Sequence, residues 1–179
     1  MSADQLSQSR ETTEQGAQSQ AARVSSWVDS GDSKSYEIHI MNRSPDPVTG
    51  VVVGVWLGEA PEVDVPGDDD IKGGAMYLLP LSNLRPCSMI SVSAMNLRYR
   101  LDGDDIGQTF DFLDSVKWKA ETVATVFTDT NGVEWVRTPR VLVRSDSEDG
   151  VRQTSLLDRG VSRILFLDQD PRSTAVEKC

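Results

Sequence analysis

The chain has little of the chemistry on which most enzymes depend. Histidine is the clearest case, because His39 is the only one in 179 residues. A serine or cysteine nucleophile that needs an imidazole base would have to use this residue. His39 alternates with Ile38 and Ile40, which predicts a solvated or locally hydrogen-bonded side chain on the outer face of a strand. One histidine and two distant cysteines are also too few ligands for a zinc site. We therefore expect a protein that is not an enzyme and holds no cofactor.

Cysteine is almost as scarce, with Cys87 inside an apolar stretch and Cys179 at the last position. Two cysteines do not make a disulfide framework. The polar N-terminal residues contain no apolar segment of the kind found in secretory signals. Both cysteines are therefore predicted to be reduced thiols in a cytoplasmic protein.

Positive charge is also in short supply, since 18 basic residues face 28 acidic ones and the net charge is −10 at pH 7. Phosphate contacts dominate nucleic-acid affinity, so this balance disfavours a nucleic-acid partner and an anionic membrane surface. The longest apolar run, Val51 to Leu57, has seven residues, whereas a membrane span needs about 20. The sequence therefore predicts no membrane insertion and favours a protein partner, with self-association through edge strands as a further possibility.

The negative charge is concentrated in two stretches, residues 59–70 and 102–114. In the second stretch Asp102, Asp104 and Asp105 partly match a calcium-binding loop, but Ile106 and Leu113 occupy positions that require ligands. These three aspartates are therefore weak candidates for a cation site. The stronger expectation is contact with a basic protein surface, for which the candidate residues are Trp56, Asp68, Asp69 and Asp70.

A carboxylate-based hydrolase is a less favoured interpretation of the same acids. Acid-base catalysis by paired carboxylates needs a cleft and one group kept protonated by its surroundings. Open, glycine-rich stretches do not provide such surroundings. The glycine-rich stretches also lack the basic residue and the helix start that a phosphate-binding loop requires.

The chain divides into four parts by composition. Residues 1–20 contain one leucine and no other large apolar side chain after Met1, which predicts a disordered tail. In residues 21–30, the spacing of Ala21, Val24 and Val28 predicts a short amphipathic helix. Residues 35–144 carry the strand patterns, and residues 145–179 form an acidic linker and a C-terminal extension.

Alternation of apolar and polar residues between positions 35 and 144 predicts six or seven short strands. One face of the run from Val48 to Leu57 carries Val51, Val53 and Val55, and its other face carries Val52 and Trp56. We expect the helix over 21–30 to cover this second face, with Val24 and Val28 against Val52 and Trp56. Residues 164–167 are apolar, and an added edge strand and a docked helix explain them equally well.

The best local signal is a hairpin around Asn131-Gly132, a pair favoured where the backbone needs a positive φ. A two-residue loop would place Asp129 opposite Glu134, two like charges. A three-residue loop avoids this and places Phe127 opposite Trp135, Val126 opposite Val136 and Thr128 opposite Glu134. The alternation also assigns Trp135 to the core.

Short strands separated by turns, with one short helix, predict an all-β fold, an antiparallel immunoglobulin-like β-sandwich. A small β-barrel is the alternative.

Three stretches resemble a set of uncharacterised actinobacterial proteins. They are Ala22-Arg23-Val24-Ser25-Ser26-Trp27, Met41-Asn42-Arg43-Ser44 followed by Pro47-Val48, and the hairpin Phe127-Thr128-Asp129 to Trp135-Val136-Arg137. The resemblance covers residues 21–140. It implies the sandwich fold and carries no activity, because none is known for the set.

Taken together, the sequence predicts a soluble, non-enzymatic interaction module of unknown partner, whose acidic loops suit a basic protein surface. A Ca²⁺-dependent or carbohydrate-facing binding domain is the alternative, and a carboxylate-based hydrolase is the less favoured third.

Overall fold

The structure, a computed structural model, describes residues 3–30, 36–58, 74–100, 110–111, 119–155, 157, 163–167, 171–177 and 179. Within these residues there are two α-helices, one short 3-10 helix (Ala94–Asn96) and twelve strands. The α-helices are α1 (Ala3–Ala21) and α2 (Glu148–Thr154). The strands are β1 (Val24–Ser30), β2 (Tyr36–Asn42), β3 (Val48–Gly58), β4 (Gly74–Leu84), β5 (Ser88–Ser93), β6 (Leu97–Arg100), β7 (Phe110–Asp111), β8 (Lys119–Thr128), β9 (Glu134–Arg137), β10 (Leu142–Arg144), β11 (Arg163–Leu167) and β12 (Arg172–Ala175).

The strands form two sheets, which confirms the prediction of an all-β, sandwich-like fold. The small sheet has the order β1-β2-β5-β12, and the large sheet has the order β10-β9-β8-β3-β4-β11-β6-β7. The barrel alternative requires one closed sheet, whereas this fold has two separate sheets. Every strand pair is antiparallel except β11 with β4, which is parallel.

One apolar core lies between the two sheets, and it is built by the alternation that the sequence predicted. Ile38 and Ile40 of the small sheet and Val51, Val53 and Val55 of the large sheet are fully buried in it. Fully burying a side chain of this size contributes roughly 1.5–3 kcal/mol. The core therefore fixes which face of each strand points inward.

The N-terminal part differs from both predictions made for it. Residues predicted to be a disordered tail belong to α1, and residues 24–30, predicted to be helical, form β1. The last turn of α1 buries Ala17 and Ala21 in the core. Strand β1 pairs with β2 along its whole length. The apolar spacing over 21–30 predicted a helix, but Val24 and Val28 belong to a strand. Alternate positions of a strand also share a face, so a spacing of four residues fits both structures.

The hairpin register is confirmed at all three predicted pairs, Phe127 with Trp135, Val126 with Val136 and Thr128 with Glu134. Gly132 has a φ of +77°, a conformation that glycine adopts without the steric cost of a Cβ. Trp135 is buried. Residues 134–144 form the two strands β9 and β10, because the chain turns at Thr138, whose hydroxyl accepts hydrogen bonds from the N–H groups of Arg140 and Val141.

The C-terminal part also contributes strands, so the sandwich extends beyond the predicted limits of 35 and 144. Strand β11 contains the apolar patch at 164–167 and lies inside the large sheet, between β4 and β6. The strand alternative for this patch is therefore correct, although β11 is not at an edge. Strand β12 pairs with β5 and forms one edge of the small sheet.

A second, smaller apolar cluster lies on the other face of the large sheet. Its buried members are Met76, Ala124, Val136 and Leu157, with Trp56 partly buried against them. Helix α2 packs against β8, β9 and β10. It approaches so closely that a Cβ on Gly150 would overlap the Arg144 carbonyl group. The prediction that Val24 and Val28 cover this face is wrong, because both pack in the core between the sheets.

Cys87 and Cys179 form a disulfide with their Cα atoms 5.3 Å apart, so the prediction of two reduced thiols is wrong. The surrounding backbone joins three distant segments. The N–H of Cys87 donates to the carbonyl of Ser44 (3.1 Å), and the N–H of Val176 donates to the carbonyl of Cys87 (2.8 Å). The two half-cystines are 92 positions apart, a pairing that no local sequence pattern indicates.

Candidate functional site

The acidic candidates Asp68, Asp69 and Asp70, and the weak cation candidates Asp102, Asp104 and Asp105, lie outside the described residues. The strands on either side of the two segments that contain these acids are described, however. Residues 59–73 connect β3 to β4, and residues 101–118 lie between β6 and β8 and include the two described residues of β7. The positions of those strand ends therefore show where each segment leaves and re-enters the fold.

All four strand ends lie at the same end of the large sheet. Gly58, the last residue of β3, pairs with Gly74, the first residue of β4, and with Lys119, the first residue of β8. Strand β6 is antiparallel to β11, which is parallel to β4. Strand β6 is therefore antiparallel to β4. Its last residue, Arg100, lies toward the end of the sheet at which β4 begins. We call the end marked by Gly58, Gly74, Arg100 and Lys119 the acidic end.

The two connecting segments hold most of the protein's excess negative charge. Residues 59–73 contain six acids and one lysine, and residues 101–118 contain five acids and one lysine. Their net charges of −5 and −4 account for nine of the ten net negative charges of the chain. The fold thus brings to one end the strand ends that flank two acidic segments, which are separated in sequence by the 27 residues 74–100.

Trp56, the aromatic contact candidate, lies in β3 two residues before the acidic end. It pairs with Met76 of β4 and with Glu121 of β8. Its side chain is partly buried against the second apolar cluster. Trp56 is therefore covered in part by apolar neighbours, although by a different segment from the one that the sequence predicted.

His39 lies on the outer face of the small sheet, as predicted, and of the two predicted states it adopts the locally bonded one, since it is only 8% exposed. Its imidazole ring stacks on Trp27 of β1, with the ring centroids 5.1 Å apart. Its Nδ1 atom lies 2.9 Å from the Ser91 hydroxyl, and its Nε2 atom lies 3.6 Å from a Glu37 carboxylate oxygen. The sequence did not reveal these neighbours, because they depend on the pairing of β1, β2 and β5.

A serine, a histidine and a glutamate in a row suggest a catalytic triad, but their setting lacks a feature that acyl transfer needs. Ser91 lies within β5, which pairs with β2 on one side and with β12 on the other. Its backbone neighbours are therefore committed to sheet hydrogen bonds and are not free to form an oxyanion hole. The Trp27 ring also covers one face of the imidazole. The arrangement acts as a packed polar cluster that fixes three neighbouring strands.

A groove of about 440 Å³ separates the second half of α1 from β9 and β10. Trp135, Leu142 and Val143 contribute its apolar lining, and Arg144 and Asp149 contribute charges. A volume of this size is within the range of small-molecule sites. Trp56, the contact candidate that lies among the described residues, does not line it.

Among the described residues, no group of three or more histidine, cysteine, aspartate or glutamate side chains is placed to hold a metal ion. Across that same part of the chain, no helix combines the length and the hydropathy needed to cross a membrane. The comparisons with known proteins give no relative: no family model, no curated protein and no solved structure matches this chain.

Proposed function

We propose that this protein is a non-enzymatic binding module that docks a basic surface of a protein partner at its acidic end. The observation that carries the proposal is the common position of Gly58, Gly74, Arg100 and Lys119, where both acidic segments join the large sheet. Connecting segments held by a rigid sandwich are frequent sites of recognition, because they vary without disturbing the core.

The sign and concentration of the charge support a basic partner. Charge of one sign gathered in one region creates a field that speeds association with an oppositely charged surface and disfavours like-charged partners. Nucleic acids carry a dense negative charge. The acidic end therefore favours a basic protein surface over a nucleic acid.

The absence of catalysis is part of the proposal, and the surroundings of His39 support it. The chain's one histidine is stacked on Trp27 and bonded to Ser91 in the middle of a sheet. A nucleophile that depends on an imidazole base would have to use this residue. The carboxylate-based alternative and the Ca²⁺-dependent or carbohydrate-facing alternative gain no support from the described residues.

The finer assignments of fold and family are proposals as well. The two-sheet architecture supports an immunoglobulin-like subtype, and the sequence motifs in β1, β2 and the β8–β9 hairpin support the resemblance to the actinobacterial set. A cytoplasmic location has lost one of its supports, because a disulfide between Cys87 and Cys179 is typical of an oxidising compartment.

The proposal is tested by capturing partners from the native cell lysate on the immobilised full chain. We expect one protein in stoichiometric amount at low salt, because attraction between exposed charges is strong when it is unscreened. The same capture is repeated in 0.5 M salt and, separately, with a calcium chelator. Loss of the partner at high salt and its retention with chelator are the expected results.

Two outcomes would contradict the proposal. A partner that stays bound in 0.5 M salt would show that charge does not hold the complex. A partner lost with chelator would support the Ca²⁺-dependent alternative, which a calcium-induced rise in melting temperature would confirm.

A further inference from the structure

A small polar recess lies at an open side of the sandwich, away from the core. Its volume is about 120 Å³, enough for a group considerably larger than one water molecule. One wall is β1, through Ser25 and Ser26, and the facing wall is β8 between Thr122 and Ala124. The end of β9 and the turn after it, residues 137–139, close the recess.

Arg137 is the charged residue in the lining. It follows Trp135 by two positions in β9, so its side chain leaves the strand on the core-facing side. It pairs with Thr125 of β8, whose hydroxyl lies 2.6 Å from that of Ser26 in β1. This position places the partly buried Arg137 where the two sheets approach each other.

Arg137 has no carboxylate partner among the residues that the structure describes, in a chain with 28 acids. Arg144 and Arg152 are paired with acids, and the described arginines that share the lack of a partner with Arg137, namely Arg23, Arg43, Arg85 and Arg140, are exposed, whereas Arg137 is partly buried. A guanidinium group offers five N–H donors and no acceptor. The donors of Arg137 therefore remain available to a group from outside the chain.

Backbone groups also line the recess, since Ser25 of β1 lies beside it while its side chain shares the outer face of the small sheet with Trp27. Strand β9 pairs with β8 only from Thr125 to Thr128. Residues 122–124 of β8 therefore pair with β3 on one side, and no described strand pairs with them on the other. A register shift at this point, between Gly54 and Val55 of β3, marks a bulge in the same stretch.

These features share one chemistry, a partly buried arginine with backbone groups around a recess of limited size. Arginine matches the planar or tetrahedral oxygens of carboxylates and phosphates and binds them through two parallel hydrogen bonds. We propose that the recess is a subsite for one oxyanion group, a carboxylate or a phosphate, held by Arg137. This site is separate from the proposed contact of the acidic end with a basic surface.

The subsite is tested by titrating the ¹⁵N-labelled full chain with inorganic phosphate and, separately, with acetate, at constant ionic strength. We expect saturable shifts of the Ser25, Thr122 and Thr138 amide signals and of the Arg137 side-chain signal. Arg137→Gln is expected to raise the apparent Kd at least about tenfold, since it removes the charge and the paired donors. Arg137→Lys, which keeps the charge but loses the planar fork, is expected to weaken binding to a smaller extent.

Arg140→Gln is the matched control, because Arg140 is exposed three residues away and the change in net charge is identical. It is expected to leave the titration unchanged. Saturation by phosphate alone supports a phosphate ligand, and saturation by acetate alone supports a carboxylate. The absence of saturable shifts with both anions, or shifts that persist undiminished in the Arg137→Gln chain, would overturn the proposal.

Discussion

Replacing Cys179 with serine is expected to lower the free energy of unfolding by about 4 kcal/mol, through loss of the constraint that the disulfide places on the unfolded chain. The bond joins positions 92 apart, and the chain-entropy effect of a crosslink grows with the length of the loop that it closes. In a protein of this size, such a loss lowers Tm by about 10 °C. Thermal unfolding followed by circular dichroism measures the change.

The reductant supplies the control for this prediction. Wild-type protein in dithiothreitol is expected to unfold at the temperature of the Cys179→Ser variant, and the variant itself is expected to be insensitive to dithiothreitol. Adding Cys87→Ser to the variant should cause little further loss, because the two sulfur atoms belong to the same bond. Equal melting temperatures for wild type and Cys179→Ser would show that the two cysteines are not joined in solution.

Asp129→Ala is expected to destabilise the protein by about 3 kcal/mol, since it leaves one buried and two partly buried N–H donors without their acceptor. Asp129 is only 4% exposed. One of its carboxylate oxygens accepts hydrogen bonds from the N–H groups of Asn131 (2.8 Å) and Val133 (2.9 Å). The other oxygen accepts the indole N–H of Trp135 at 3.0 Å. One side chain therefore holds both the turn and the core tryptophan of the hairpin.

Urea unfolding measures this loss, with Asp146→Ala as the matched control. Asp146 is exposed and pairs with Arg144 at the surface, so its removal is expected to cost less than about 1 kcal/mol. The destabilisation caused by Asp129→Asn is expected to lie between those caused by Asp129→Ala and Asp146→Ala. This variant keeps one carbonyl oxygen for the turn but can direct an NH₂ group at the indole N–H. A cost for Asp129→Ala no larger than that of the control would refute the role of this carboxylate.

The hairpin shows which parts of the fold the sequence predicts well. Its register follows from neighbouring residues alone, because a three-residue loop separates like charges and brings Phe127 opposite Trp135. Alternation likewise predicts the buried faces of β2 and β3. These features are local, so a single sequence contains the information that determines them.

The errors arose where distant segments meet. A polar helix such as α1 is indistinguishable from a disordered tail until Ala17 and Ala21 find the core. His39 could be placed on the outer face, but its burial depends on Trp27, which the sequence assigned to a helix instead of β1. The disulfide requires the last residue to return beside the start of β5, which composition alone cannot predict.

The candidate site was predicted in part. The sequence located the acids, but the meeting at one end of the strands that flank them depends on the directions of β3, β4, β6 and β8 in the large sheet. Arg137 was overlooked, although a signal was present. Arg137 follows the core residue Trp135 by two positions in the sequence. Residues two apart in a strand lie on the same face, which here is the face toward the core.

The central claim, that the acidic end holds a basic protein partner, is tested most directly by two charge-matched variants. The first carries Asp68→Asn, Asp69→Asn and Asp70→Asn, and the second carries Asp146→Asn, Glu148→Gln and Asp149→Asn near α2. Each removes three negative charges from the chain. Isothermal titration of the captured partner into each chain at low salt compares their affinities. We expect the first variant to bind at least about tenfold more weakly than wild type, a loss of about 1.4 kcal/mol, and the second to change the Kd less than about twofold. Equal weakening by the two variants, or none by the first, would contradict the claim.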